Sequence, residues 1–219
     1  MLMRVNGCIL GAYFITVVWA LHDRFEILRM SRSFALTRAH VTFRLRARRF
    51  VWNIVWLLLY RPSPRPFHAW RRWLLRAFGA RIAAGANPYA SVRIWAPWNL
   101  TMEAGSCLGD AVDCYCVAPV TIGAHATVSQ YCYLCSASRD YREPSMPLVI
   151  AAIVIGAEAW VAADVFIGPG VAVGEGAVVG ARSTVTQDVE SWTVVAGSPP
   201  LVRGQRPRFT RPPMEGQSM

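Results

Sequence analysis

From Ile153 to Thr186 the chain repeats its apolar pattern every six residues without a miss. Ile155, Val161, Ile167, Val173, Val179 and Val185 hold the branched position, and Gly156, Ala162, Gly168, Gly174, Gly180 and Thr186 follow them directly. Ile153, Ala159, Val165, Val171, Ala177 and Ser183 stand two residues ahead. A short strand with one inward branched residue, then a small residue to turn the corner, is the unit of a hexapeptide β-helix. No such unit buries its apolar side alone, so stacking supplies the core. The register runs backwards through Leu134, Val128, Ile122 and Cys116, with Cys132, Ala126, Val120 and Cys114 two residues earlier. It predicts a mainly β fold in which Cys114 and Cys132, eighteen residues apart, stack in successive coils of a three-sided prism.

The rhythm breaks once. Leu134 to Ile155 spans 21 residues, three more than a full coil, and the intervening YLCSASRDYREPSMPLV is polar and charged. It reads as a loop extruded over residues 135–152, and insertions of this kind lie on the binding face of repeat proteins.

Ahead of the repeats the period is helical. FHAWRRWLLRAFGA spaces Phe67, Trp70, Leu74 and Phe78 by three, four and four, with Arg71, Arg72 and Arg76 largely off that stripe and Gly79 placed to end the helix. RARRFVWNIVWLLLY, residues 46–60, is a basic cluster running into ten apolar residues, too short to span a bilayer comfortably. It reads as an interfacial or packed helix, broken by RPSPRP. Residues 5–21 form an uncharged run of 17, which suits a membrane anchor and equally a start placed too early, with translation beginning near Met30. The chain therefore divides into an apolar extension at 1–30, a basic helical region at 31–80, a β-helix at 81–200, and a Pro- and Arg-rich tail at 201–219 read as disordered.

Charge sharpens this division. All 23 basic residues are Arg, and 16 of them lie in residues 1–93 beside only Asp23 and Glu26, for +14; residues 94–219 hold 7 Arg against 11 acids, for −4. A basic, apolar front suits peripheral contact with an anionic membrane surface. Nucleic acid is the weaker reading, because the arginines alternate with Trp, Leu and Phe at helical spacing and no nucleic-acid motif is present. Cys114-x-Cys116 followed by Cys132-x-x-Cys135 invites a zinc site. Those cysteines fall on the packing positions of the repeat, where Cys serves as a small hydrophobe, so no metal is expected.

The segments WRRWLLRAFGARI, IWAPWNL, SQYCYLCSASRDYREPSMPLV and AWVAADVFIGPGVAVGEGAVVGARSTVTQDVESWTVVAGSPP resemble the bacterial hexapeptide acyltransferases of colanic acid biosynthesis, over residues 31–202. The resemblance implies a left-handed parallel β-helix, a homotrimer, and transfer of acetyl from acetyl-CoA to a sugar or glycolipid acceptor in exopolysaccharide assembly. A cytoplasmic protein is expected, associated with the inner face of the cytoplasmic membrane through its Arg-rich front. In such enzymes the loop reads SHDY and its His is the general base; here the segment is Ser138-Arg139-Asp140-Tyr141, so the His position holds Arg139. A guanidinium has no acceptor lone pair and takes no proton. Asp140, if burial raises its pKa, or His125, if the trimer brings it near, could replace the base, although His125 reads first as a solvent-facing corner residue. Asp113 could orient a base or substrate, or be a surface carboxylate. Arg139 with Arg142 could hold an acidic sugar.

For the donor, Trp160 matches the aromatic position lining the pantetheine channel, and Ala162, Ala163, Gly180 and Ala181 match its small-residue backbone contacts. Gln187 and Leu201 replace the usual Lys and Arg near the CoA phosphates, where Arg182 and Arg203 could compensate or could be solubilising charges. Two other classes compete. A catalytically silent β-helix that binds or scaffolds fits the loss of the loop His. A zinc carbonic anhydrase on the same fold needs several His ligands, and only His125 lies in the repeats.

Overall fold

The computed structural model describes residues 37–38 and 43–208. The apolar extension and the last residues of the tail lie outside these.

Parallel strands stack into a three-faced β-helix. Ile82, Met102, Ile122, Ile155 and Val173 climb the first face, Pro88, Leu108, Val128, Val161 and Val179 the second, and Ile94, Cys114, Leu134, Ile167 and Val185 the third. Every branched position of the six-residue repeat is buried, as are the positions two residues ahead. A fully buried Ile or Leu at such a site stabilises by roughly 1.5–3 kcal/mol, so the column of inward side chains is the core.

The stacking register of the early coils differs from the expectation. Cys114 lies beneath Leu134, not Cys132. Each early coil takes 20 residues because the step from the third face back to the first is eight residues, as from Ile94 to Met102 and from Cys114 to Ile122. The extra length is held down locally: Pro97–Asn99 forms a 3-10 turn, and Asn99 Nδ2 donates to the carbonyls of Cys116 and Val117 at 3.0 and 2.7 Å. Further along, the same step shrinks to six residues from Ile167 to Val173 and to four from Val185 to Val189. The loop is therefore one corner step grown to 21 residues, not a coil with three residues added. Cys114, Cys116 and Cys132 are buried in packing positions, with the Cys116 thiol donating to Ala96 O and the Cys132 thiol to Ala162 O.

Beneath the first coil sit two helices, α1 at Phe43–Val55, continued by a π-helical turn at Trp56–Tyr60, and α2 at His68–Ala77. Gly79, at φ +91°, ends α2, and Ala80 N reaches back to Leu75 O at 3.0 Å. In the first coil Ala83, Asn87, Tyr89, Arg93 and Trp95 donate their N–H upward to the second coil. Alternate residues face the other way, and a buried backbone carbonyl without a donor is costly. The helices provide the donors. Trp52 Nε1 donates to Ile94 O at 2.7 Å, Trp56 Nε1 to Val92 O at 2.8 Å and Tyr60 Oη to Tyr89 O at 3.2 Å. From α2, Arg71 Nε donates to Pro88 O at 2.8 Å, Arg72 to Ala86 O at 3.0 Å and Arg76 to Ile82 O at 2.8 Å.

This requirement splits the stripe expected of α2, leaving Leu74 and Phe78 packed on the core and turning Phe67 and Trp70 out. Arg71, Leu74 and Leu75 face inward and are buried, whereas Phe67, Trp70 and Trp73 are exposed. The buried Arg71 guanidinium also donates to Ser63 Oγ, Pro64 O and Arg65 O, so every face of it is used. At the far end, Leu201–Gln205, assigned to the disordered tail from sequence, form a strand antiparallel to Thr193–Ala196. The SPP turn between two apolar stretches is the sequence signal for this terminal hairpin.

Two outcomes follow from this packing. Trp52→Phe removes one donor to a buried carbonyl and leaves a cavity where the rest of the indole lay, and lowers unfolding free energy by about 2–4 kcal/mol in urea titration, whereas Trp73→Phe on the exposed side changes it by less than about 0.5 kcal/mol. Burial pushes the Cys132 thiol up to about 11. It is therefore alkylated by iodoacetamide at pH 8 at least about 100-fold more slowly than an exposed Cys, and at the ordinary rate once the chain is unfolded.

Candidate active site

The polar loop is a hairpin in which Ala137–Arg139 and Leu148–Ile150 pair antiparallel, and Thr37–Arg38 adds a third strand. It leaves the corner between the third and first faces. Arg139, at the position expected for a base, is exposed, and its Nη1 donates to Met146 O at 2.9 Å across the hairpin. Asp140 N donates to Pro147 O, and Asp140 Oδ1 accepts from Arg142 N at 3.0 Å. That is an Asx turn, which commits one carboxylate oxygen to holding the loop.

Asp113 stands on the outer side of the third face, next to Tyr133 in the ladder and 3.8 Å from Arg93. Burial pushes its carboxyl above the usual range, and the Arg93 guanidinium draws it partly back. An aromatic column climbs the same face: Trp95, Tyr115, Tyr133 and Phe166 follow one another with ring centroids 5.6, 6.4 and 5.7 Å apart.

His125 belongs to a different corner, between the first and second faces. Its φ of +57° turns the chain there, its N–H donates to Ala104 O at 2.9 Å, and its imidazole lies over Gly105, where a Cβ would collide with Nδ1. With Thr127, Glu158, Ala159, Trp160 and Arg206 it lines an open cleft of about 320 Å³. Trp160 is half-exposed and its Nε1 donates to Ser129 Oγ at 3.1 Å, which fixes the indole along the wall. Arg206 donates to Glu158 O at 2.7 Å and to Gly176 O at 3.1 Å. Sequence reasoning missed Arg206 because it falls in the tail; the closing strand brings it to the cleft.

The small residues gather on the remaining corner, between the second and third faces. Ala162 N donates to Val179 O, Arg182 N donates to Ala163 O, and Gly180 has no room for a Cβ, which would meet Ala196 Cβ at 2.7 Å. Ala162 and Ala163 thus lie one coil below Gly180 and Ala181. Arg182 Nε is 3.6 Å from Asp164 Oδ2, and Arg203 is exposed on the last strand. Within one chain the structure groups Trp160 with His125 and assembles the small-residue corner. It leaves Arg139 and Asp140 on the third corner. Among the described residues, no group of three or more His, Cys, Asp or Glu is placed to hold a metal.

Stacked hexapeptide coils interrupted by one extruded hairpin define a hexapeptide-repeat β-helix protein. No family model matches the chain. It is 40% identical over 156 residues to WcaF of Escherichia coli K12, covering 71% of this chain and 86% of that protein, whose name proposes it as a colanic acid biosynthesis acetyltransferase. WcaF of Shigella flexneri matches to the same extent. The chain belongs to this WcaF-type family. Solved structures share the fold: a hexapeptide-repeat acetyltransferase of Vibrio cholerae in complex with acetyl coenzyme A (24% identity, TM-score 0.69, covering 77% of this chain and 92% of that one). A maltose O-acetyltransferase of Clostridium difficile 630 is similar at 20% identity and TM-score 0.69, covering 76% and 90%.

Because Arg93 holds the Asp113 carboxyl down against the effect of burial, Arg93→Gln moves its titration midpoint further up, as read from carboxyl carbon chemical shifts. A folded-state pKa above the unfolded value means that the proton favours the fold. The stabilisation is present below the unfolded pKa and lost as pH rises through the folded one, so Arg93→Gln widens that window towards higher pH.

Proposed function

We propose that the chain is an O-acetyltransferase that moves acetyl from acetyl-CoA to a sugar hydroxyl in exopolysaccharide assembly. The observation that carries this reading is the 40% identity to WcaF across most of both chains. In such a transfer a base takes the hydroxyl proton, the oxygen attacks the thioester carbonyl, the C–S bond breaks, and CoA leaves as the thiol once protonated. Arg139 cannot be that base. Of the two replacements the sequence offers, His125 shares a cleft with Trp160, whereas Asp140 has one oxygen committed to Arg142 N. Trp160 and the corner of Ala162, Ala163, Gly180 and Ala181 suit the thin pantetheine arm, with Arg182 and Arg203 toward its phosphates. Asp113 suits orientation rather than proton transfer, facing Arg93 as it does.

Loop, cleft and small-residue corner occupy three different corners of one prism, so the reading includes a homotrimer in which the hairpin of one copy lies against the groove of the next. A sugar or glycolipid acceptor and contact of the basic helical region with the inner face of the membrane complete it. Among the described residues no helix is long and apolar enough to cross a membrane.

One observation favours a second reading, a silent β-helix that binds or scaffolds: Arg139 donates to Met146 O and so acts as a strut of the hairpin. Acetyl-CoA consumption over a panel of sugar nucleotides separates the two. The transferase reading expects slow turnover by the parent, a gain of about 10²- to 10⁴-fold in Arg139→His, and a loss of similar size in His125→Gln but not in Asp140→Asn. Turnover by Arg139→His alone would establish the silent reading. Absence of acetyl-CoA binding by calorimetry in both proteins would sink the transferase.

A further inference from the structure

The side of the helical cap turned away from the coil is apolar. Phe50, Ile54, Leu57 and Leu58 recur at intervals of four, three and one, which places them on one stripe of α1 and its π-helical turn, and all are exposed. The opposite stripe, Trp52, Trp56 and Tyr60, is the one bonded to the first coil. From α2, Trp70 and Trp73 extend the apolar face. They stack at 5.1 Å, are 37% and 58% exposed, and Trp70 Nε1 donates to Leu59 O at 3.0 Å, tying the two helices together. Water-soluble surfaces rarely expose large side chains in such a group without a use for them.

Charge decides among the occupants. Residues 43–78 hold nine Arg and no Asp or Glu, and Arg44 and Arg46 are exposed on the same helix as the apolar stripe. Two copies meeting through this face would set cation against cation. An acidic protein groove would match the charge but not the breadth of aromatic and Leu surface. Anionic headgroups over an acyl boundary match both, since guanidinium pairs with phosphate while Trp and Leu enter the interface. The face is also rigid. The side-chain bonds that close the first coil hold both helices to the prism, so docking demands no folding of the surface.

We propose that this outward face of the helical cap docks the protein on an anionic phospholipid surface, with α1 and α2 lying in the plane of the interface. The proposal extends the membrane contact named with the transferase reading. Its test uses neither acetyl donor nor acceptor, so its failure would leave the enzymatic reading standing.

The full chain is sedimented with vesicles of phosphatidylcholine alone and of phosphatidylcholine with phosphatidylglycerol. The expected result is binding to the anionic vesicles, weakened by salt, and at least about tenfold weaker binding to the neutral ones. Leu57→Gln with Leu58→Gln lowers anionic-vesicle binding at least about tenfold, because two apolar side chains no longer enter the interface. Arg44→Gln with Arg46→Gln lowers it by a similar factor. These positions are exposed, so thermal unfolding of both double variants stays at the parent value. Three results overturn the proposal. The first is no binding by the parent. The second is undiminished binding by the Leu variant, which would assign attachment to the apolar run at 5–21. The third is a fall in oligomer mass of the Leu variant by analytical ultracentrifugation, which would make the face an interface between copies.

Discussion

A stacked β-coil has two ends, and at each the backbone meets no further coil. The rest of this structure depends on how the lower end is closed. Carbonyls of Ile82, Ala86, Pro88, Val92 and Ile94 turn downward from the first coil, and Trp and Arg side chains of two helices meet them. Pro88 fits an edge position because it has no N–H to satisfy there. Arginine suits the task better than lysine would, since its planar donors reach several carbonyls at once, as Arg71 does with Pro88, Pro64 and Arg65. Much of what composition shows as a basic front is thus internal wiring, and only the exposed remainder is available to a partner.

The six-residue period made the fold legible, because few architectures besides a β-helix place an inward branched residue at every sixth position. Helix positions were legible from their own period, and their faces were not. An apolar stripe at helical spacing normally points inward, which would send Phe67 and Trp70 to the core. The demand of the coil edge for hydrogen-bond donors overrode hydrophobic periodicity and turned Arg71 in instead. Counting in sixes likewise failed for the early coils, since a step of eight residues leaves the inward positions intact and shifts only which residue stacks on which. Cys114 kept its burial and changed its neighbour.

The candidate site was legible as residue types and not as a place. Trp160, the small corner and the loop could each be picked out by motif, but sequence order gives no hint that they occupy three separate corners. Arg206 was invisible because it follows a proline-rich turn and looks like tail; only pairing of the last strand carries it back to Glu158 and Gly176. Arg139 remains the departure with the clearest chemistry. A group that permanently donates now occupies the end of the hairpin where an acceptor is expected, and the loop has found it a carbonyl.

The step between the third and first faces is eight residues in the first two coils, 21 where the hairpin leaves, then six and four, while the inward positions keep their ladder throughout. Corner length is free to vary because the core does not depend on it. A bare coil edge could accept another copy end to end and grow into a fibre. Here the lower edge is filled with indole and guanidinium, and on the second face the upper one is covered by the chain's own last strand running the opposite way.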